Sequence, residues 1–377
     1  MLILKDLHGT KIARKGLKIK YSLLLDSTPV IKIKANFSGE FASGFTSRPS
    51  SVVRKMLCKL KKSVVKIIPG MNTPGMIRRM LLIFLISACV LAAQTPSGQE
   101  QPEFVKQGQA LAREGKLEEA LALYRKTLQD APNSQAANNG AGAVLDLMGK
   151  GTEARKYFAK AIEVAQMPQS KAAAQRAMAM SYAFESDCKK TVEYERMVFD
   201  YYASVKDFFQ QGETANEAAR VCIDSGDLDS AYRWYQLGHD SGLREPEIKP
   251  DRADLWEFRW EHAQARIAAR RGNKAEAEKH VAAAKTALDR GRNPQQAQFF
   301  PYLVGYVAFY EGNYKAAVEE LQKANQNDPF IQCLIAQTYE KLGEKDKALE
   351  FYRKASTTTA RNPAGAYARP FAKKKLS

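Results

Sequence analysis

Histidine and cysteine are the side chains in this sequence that could ligate a metal ion or act as catalytic bases and nucleophiles. A zinc protease motif needs two histidines around a glutamate, and an acyl-transfer elbow needs a serine between two glycines. Neither motif occurs, and the sequence has no Cys-x-x-Cys pair and no glycine-rich phosphate loop. The four histidines are widely separated: His8, His239, His262 and His280. We interpret them as ordinary residues, so the sequence predicts no enzyme, no metal site and no cofactor.

The basic residues are concentrated at the N-terminal end of the sequence. The 377 residues carry a formal net charge of +17, yet residues 1–94 hold 17 Lys/Arg and 3 Asp/Glu, a net of +14. The rest of the chain is close to neutral, at +3, and so offers no electrostatic footprint for nucleic acid. A composition of 45% hydrophobic and 26% charged residues also excludes a disordered chain and a polytopic membrane protein.

One apolar segment, residues 76–93, predicts export. Two arginines precede 14 apolar or small residues without charge, and a polar stretch follows. Fourteen helical residues span about 21 Å, less than a hydrocarbon core of about 30 Å. The segment therefore has the form of a signal peptide, cut after Ala92 or Ala93 and followed by a linker over residues 94–102. We expect an exported protein, periplasmic or secreted.

Two alternatives to simple cleavage remain open. The sequence Ile86-Ser87-Ala88-Cys89 is similar to a bacterial lipobox, in which Cys89 would be lipidated and would anchor the protein to the membrane. The apolar run continues past Cys89, however, as the core of an ordinary signal peptide does. The segment could also stay uncleaved as an anchor.

Residues 1–75 precede the point where a signal peptide should begin. They are basic and show no sustained hydrophobic period. Translation from Met76 or Met71 would make them a non-native extension, and we expect no fold there. The alternative is an organelle transit peptide, since the segment is rich in Lys/Arg and poor in acidic residues.

From residue 103 onward, small and aromatic residues recur at a fixed interval. The positions 34 residues apart pair Gly108 with Gly142, Gly115 with Gly149, Ala120 with Ala154, Tyr124 with Phe158 and Thr127 with Ala161. This spacing and these residue types resemble the tetratricopeptide repeat, a helix–turn–helix unit. The resemblance implies an all-α solenoid in which such units stack and bury a continuous core.

Each recurring position has a physical role in such a unit. Small residues let the two helices approach closely, and the aromatic fills the space towards the next unit. Glycine ends the first helix in a left-handed conformation that other residues adopt only at a cost. We predict repeats one to four over residues 103–240, a linker over 241–252 and repeats five to seven over 253–356. The remaining residues, 357–377, are predicted to be a basic tail that is at most partly ordered.

The third unit departs furthest from the pattern. Thr191 and Glu195 occupy positions that should be small and aromatic. Cys188 and Cys222 lie on helices that the resemblance places side by side, so in an oxidising compartment they could form a disulfide that braces this unit against the fourth. The alternative is two buried free thiols. Cys333 has no evident partner.

The resemblance also implies a binding groove lined by the first helix of each unit. Reading the groove positions gives four arginines and an aromatic patch: Arg176, Arg220, Arg266 and Arg270, with Tyr302, Tyr306 and Phe309 beside them. Arginines suit carboxylates, and both residue types are favoured at interfaces. The alternative is solvated arginines and an apolar core stripe. Val105 and Gln109 stand where a carboxylate clamp needs Lys and Asn, so that specificity is not predicted.

These observations predict a non-catalytic scaffold or adaptor of the bacterial cell envelope, which binds a peptide or a partner protein in the groove. One alternative is a component of an envelope assembly or polymer-handling complex, tethered to the membrane through a lipidated Cys89. Another is the helical domain of an envelope hydrolase, for which we see no room after residue 356. The sequence does not identify the partner or the oligomeric state.

Overall fold

The computed structural model describes residues 101–377, and within that range the regular structure is helical, without strands. Each of the first four units consists of two helices that pack against each other and are joined by a short turn. Their helices are α1 (Glu103–Arg113), α2 (Leu117–Asp130), α3 (Gln135–Leu147), α4 (Gly151–Glu163), α5 (Pro168–Ala183), α6 (Cys188–Ser204), α7 (Phe208–Ser225) and α8 (Leu228–Gly242).

Three further units and one extra helix follow. Their helices are α9 (Pro250–Arg270), α10 (Lys274–Asp289), α11 (Phe300–Tyr310), α12 (Tyr314–Leu321), α13 (Pro329–Lys341), α14 (Lys345–Ser356) and α15 (Pro363–Leu376). A short 3₁₀ segment, Pro294–Phe299, precedes α11. The prediction of an all-α solenoid of helix–turn–helix repeats is confirmed.

The recurring small and aromatic residues pack as their types require. Tyr124 of α2 lies over Gly108 of α1, where an added Cβ would come within 2.3 Å of the tyrosine ring. Phe158 of α4 lies over Gly142 of α3 in the same way, with 2.7 Å left for a Cβ. Both rings are almost completely buried. The helices of a unit can therefore approach closely only because one of them carries glycine at the contact.

Glycine also ends the first helix of most units. Gly115 and Gly149 have φ angles of +78° and +79°, in the left-handed region, just after α1 and α3. In the third unit the corresponding turn contains Ser186, with a φ of +56°. A residue with a Cβ is strained in this conformation, by about 1–2 kcal/mol. The third unit therefore departs from the pattern in its turn as well as in its packing.

The linker predicted over residues 241–252 is shorter in the structure. Helix α8 continues to Gly242, and α9 begins at Pro250, which occupies the first helical turn, where proline is well tolerated. Trp256 of α9 is fully buried and packs directly against Gly242 of α8. Its indole Nε1 donates a hydrogen bond to Glu245 at 3.0 Å. The fourth and fifth units are thus packed together.

The predicted basic tail forms a helix instead, and this is a correction to the sequence analysis. Asn362 caps α15 by accepting a hydrogen bond from the amide of Gly365 at 2.9 Å, and Pro363 occupies the first turn. Ala366 belongs to the apolar cluster of the first four units, whereas Ala368 and Ala372 belong to the cluster of the last units. The helix is ordered because it is buried on two sides.

Candidate binding face

The residues predicted to line an open groove lie on the first helices of units three to six. Arg266, Tyr302 and Tyr306 are buried, and only 19% of the Arg220 side-chain surface is exposed. The other three predicted residues are half-buried: Arg176, Arg270 and Phe309. Most of the predicted anchors therefore face other parts of the same chain.

The central residues form what we call the inner cluster: Arg220, Asp224, Arg266, Tyr302 and Phe330. The guanidinium of Arg220 on α7 donates to Asp224 at 3.2 Å and lies 4.2 Å from the ring centroid of Phe330 on α13. These helices belong to the fourth and seventh units, so the contact crosses the inner side of the array. Stacking over an aromatic face is a favourable environment for a guanidinium.

The other two arginines of the middle units bind tyrosine hydroxyls. Arg266 donates to the hydroxyl of Tyr235 at 2.8 Å, and Arg270 donates to that of Tyr310 at 3.1 Å. The carboxylate that accompanies them is Asp224. Burial raises its pKa, while the neighbouring Arg220 and Arg266 act to lower it. The inner cluster is therefore rich in positive charge and already uses much of its hydrogen-bonding capacity internally.

His262 lies inside the same region, between Phe258 and Tyr302. Burial lowers the pKa of His262 well below its usual value, and the positive charges of Arg266 and Arg220 act in the same direction. The imidazole is thus neutral, and its ring packs on aromatic neighbours. This fits the sequence interpretation of an ordinary interface residue.

The prediction of an open groove is therefore corrected for the middle of the array, where these residues pack against one another. The physical reason is curvature: the first helices of units four to seven lie close enough for Arg220 to contact Phe330. Aromatic and arginine side chains fill the space between them. Within residues 101–377, Arg266 Nη1, His262 Nε2 and Tyr302 OH have no hydrogen-bond partner.

Arg176 forms an ion pair across two units. Its Nε donates to Glu217 of α7 at 2.7 Å, and its Nη2 contacts the other carboxylate oxygen. The two hydrogen bonds form a bidentate pair, which fixes the guanidinium in one orientation. Arg176 therefore links α5 to α7 rather than presenting a free cation to a ligand.

The cysteines of the third and fourth units are joined. Cys188 at the start of α6 and Cys222 in α7 form a disulfide, with their Cα atoms 4.8 Å apart. Among the cysteines of residues 101–377, Cys333 on α13 is the one outside a disulfide; its thiol is buried, and burial raises its pKa. Cys89, predicted as a possible lipidation site, lies outside the described residues, as do the predicted signal peptide and the extension that precedes it.

Sequence reasoning missed two inner contacts, one from the C-terminal helix α15 and one from the residues just before it. Arg361 donates to Asp146 at 2.8 Å, and Arg369 donates to the backbone carbonyl of Leu147 at 2.8 Å. More than two hundred residues separate the partners. The sequence did contain a signal for the helix itself, because Asn362 followed by Pro363 is a typical helix start.

A surface cleft of about 320 Å³ lies between α8, α9 and α10, beside Tyr232 and Trp260. Its charged groups already have partners, because Arg271 binds Asp229 and His280 binds two glutamates. Among residues 101–377, no group of three or more His, Cys, Asp or Glu side chains could hold a metal ion. The cleft therefore offers little to a charged ligand.

None of the helices between residues 101 and 377 has the length and apolar character that crossing a membrane requires.

Comparison with known proteins identifies the repeats. Models of the tetratricopeptide repeat match residues 104–134 and 331–360, which correspond to the first and the last units of the array. No curated protein matches the chain.

Comparison with solved structures finds similar chains of low sequence identity. A tetratricopeptide repeat protein from Parabacteroides merdae is 15% identical, covers 68% of this chain and 91% of its own, and has a TM-score of 0.44. The apo form of RapI is 11% identical, with coverages of 72% and 97% and a TM-score of 0.43. The Cut9–Hcn1 hetero-tetramer of APC/C is 16% identical, with coverages of 69% and 46% and a TM-score of 0.40.

Proposed function

The chain is a tetratricopeptide repeat protein, and we propose that it acts as a non-catalytic scaffold or adaptor whose inner face binds a helical or peptide segment of a partner protein. Repeats of this type generally mediate protein–protein interaction. One observation carries the more specific proposal: the inner face of units two to four already holds a helix, the chain's own α15.

The mechanism requires no chemistry beyond recognition. Stacked units form a rigid surface, and a partner segment gains affinity from a few well-placed anchors because little of that surface must be ordered on binding. The accessible anchors are those that the array leaves half-buried on its inner helices, such as Phe309 on α11. Aromatic residues of this kind contribute strongly at interfaces.

We further propose that this scaffold works in the bacterial cell envelope. The apolar segment over residues 76–93 has the form of an export signal. The disulfide between Cys188 and Cys222 supports the same compartment, since disulfides persist mainly in oxidising environments. A lipidated Cys89 would tether the scaffold to a membrane assembly. Mass spectrometry of the N-terminus of exported protein distinguishes a diacylglyceryl cysteine from a free terminus near Ala93, and an uncut chain in the cytoplasm would contradict export.

Site-specific photo-crosslinking tests the scaffold proposal. Benzoylphenylalanine replaces Phe309 on the inner helix α11 in one variant and Tyr157 on the second helix α4 in a matched control. Both positions are aromatic and half-buried. We expect a discrete crosslinked protein from position 309 and none from position 157. Equal products from both positions, or none from position 309 in cells that make the protein, would contradict binding on the inner face.

A further inference from the structure

The C-terminal helix α15 has two faces of different chemistry. One face carries aromatic residues and packs on the last unit: the ring of Tyr367 lies 5.1 Å from that of Phe330, and the ring of Phe371 lies 6.1 Å from that of Tyr352. The other face carries small residues and arginine and lies against α3, α5 and α7. An ordinary next helix in the stack would contact only its neighbours in sequence.

On the face of α15 that lies against α3, α5 and α7, the main polar contact is with a buried carboxylate. Asp146 of α3 has a completely buried side chain, and it accepts hydrogen bonds from Ser181 of α5 at 2.6 Å and from Arg361 at 2.8 Å. The serine belongs to the receiving surface, so the acceptor is oriented before any arginine arrives. A buried carboxylate without a cation is costly, and this surface therefore favours a ligand with a guanidinium.

A second arginine binds a helix terminus. Arg369 donates from Nε to the carbonyl of Leu147 at 2.8 Å, and from Nη1 to that of Thr358 at 2.6 Å. Leu147 is the last residue of α3, whose final carbonyls have no partner within the helix. A cation at this end also complements the helix dipole. The surface thus has two sites for arginine, one at Asp146 and one at the end of α3.

The side chains that α15 buries between these arginines are small. Gly365 has no room for a Cβ, which would lie 2.1 Å from the carbonyl oxygen of Ala360 in the same segment. Ala366 joins the apolar cluster of units one to four. Alanine burial removes little apolar surface, so each such contact adds little stability. The attachment to units two to four therefore depends mainly on the two arginines.

The helix itself has low intrinsic stability. It is 14 residues long, contains Pro370 in its interior and carries Gly365 in its first turn. Proline removes one backbone hydrogen bond and costs about 3 kcal/mol in a helix interior, and isolated helices of this length are marginal. Such a segment keeps its helical form only while it is bound to a surface.

We propose that the surface formed by α3, α5 and α7 is a receptor for helical segments that carry arginine and small residues, and that α15 is its exchangeable occupant in cis. This inference rests on the proposed scaffold function and names the partner's chemistry: a basic segment with two arginines flanking glycine or alanine. The short connection over residues 357–362, which contributes Arg361 to the bound segment, holds α15 at a high effective concentration, so a partner must compete with it.

The test uses the full chain and a labelled peptide of residues 358–377. The receptor variant, Arg361→Ala with Arg369→Ala, weakens the cis helix and leaves Asp146 and Leu147 in place. We expect the peptide to bind this variant at least tenfold more tightly than it binds the wild type. A peptide with both arginines replaced by alanine should lose at least tenfold in affinity, whereas a Lys374→Ala peptide, altered at an exposed position, should bind like the native one.

Hydrogen exchange on the wild-type chain gives a second measurement that does not depend on any variant folding. We expect the amides of α15 to exchange at least tenfold faster than those of α3, because the cis helix is released while the array stays folded. Equal protection of both helices would overturn the proposal, as would a folded double variant that does not bind the peptide. Either failure leaves the crosslinking test at position 309 unaffected, so the scaffold function is judged separately.

Discussion

The second and third units of the array have the same architecture and are held together differently. In the second unit, Phe158 fills the space over Gly142, and Gly149 supplies the left-handed turn. In the third unit, the aromatic position holds Glu195 and the turn contains Ser186. The helix pair survives the loss of both features, so the repeat pattern is one of several ways to stabilise such a unit.

The third unit is stabilised by bonds to its neighbour. The disulfide from Cys188 to Cys222 connects α6 with α7, and the ion pair from Arg176 to Glu217 connects α5 with α7. The second unit has a buried phenylalanine at the aromatic position, whereas the third has a glutamate there and is joined covalently to the fourth.

The buried glutamate is the sharpest difference between the two units. Glu195 is completely buried, and in the part of the chain that the structure describes neither of its carboxylate oxygens has a hydrogen-bond partner. Burial raises the pKa of Glu195 well above its usual value, and the nearby Glu217 adds to this, while Arg176 opposes it. The position that is purely structural in one unit is therefore a titratable group in the other.

The largest predicted effect is the loss of the aromatic in the second unit. Phe158→Ala leaves a cavity beneath a fully buried ring and should destabilise the fold by about 3–5 kcal/mol. Glu195→Ala, at the equivalent position of the third unit, should cost far less. Equilibrium unfolding in urea measures both. Equal losses for the two variants would break the comparison.

Removal of the disulfide should have the next largest effect. The Cys188→Ser and Cys222→Ser double variant opens a loop with a sequence separation of 34 residues, and we expect a loss of about 3–4 kcal/mol. The same urea measurement applies. Wild type treated with a reductant should behave like the double variant, and the variant itself should not respond to the reductant. A loss below about 1 kcal/mol would show that the third unit does not need this link.

Replacement of the buried glutamate should stabilise the protein in a pH-dependent way. A pKa that is raised in the folded state means that stability falls as the pH increases from the unfolded value, about 4.3, towards the folded value. Glu195→Gln removes this penalty, so its melting temperature should exceed that of the wild type by several degrees at pH 8 and by almost nothing at pH 4. Thermal melts across this pH range measure the difference. A gain that is the same at both pH values would contradict a buried, titrating carboxyl group.

The turn of the third unit should give the smallest effect. Ser186→Gly removes the strain of a non-glycine residue in the left-handed conformation. It should stabilise the fold by about 0.5–1 kcal/mol, after the entropy of glycine in the unfolded chain is subtracted. The reverse change, Gly149→Ser in the second unit, should destabilise by a similar amount. Opposite signs in urea unfolding are expected, and the same sign for both would show that the two turns are not equivalent.

The repeat pattern was enough to predict the fold because its residues act locally. Phe158 packs on Gly142 of its own unit, and Tyr124 packs on Gly108 of its own unit and on Gly140 of the next, so spacing along a short stretch of chain specifies these contacts. The groove residues were harder to interpret, because the contact between Arg220 and Phe330 joins the fourth unit to the seventh. It depends on the curvature of the units between them, which a pattern within one repeat does not specify.

The C-terminal segment shows the same limit. Three lysines and two prolines near the end of the chain indicated a basic tail, whereas Asn362, Pro363 and the small residues after them favoured a helix start. Which tendency prevails depends on whether a surface is available to bury Ala366 and to pair Arg361. That surface is made by α3, α5 and α7, far away in sequence.

The sequence by itself determined the repeating helix pairs, their turns and the position of the irregular third unit, since these follow from side-chain size and backbone freedom within about 34 residues. Only the tertiary structure decided that most of the predicted arginine and aromatic anchors face other parts of the same chain and that the chain's own last helix occupies its inner face. The reason is that curvature adds up small rotations over many units, and the contacts it creates join residues that no short-range pattern relates.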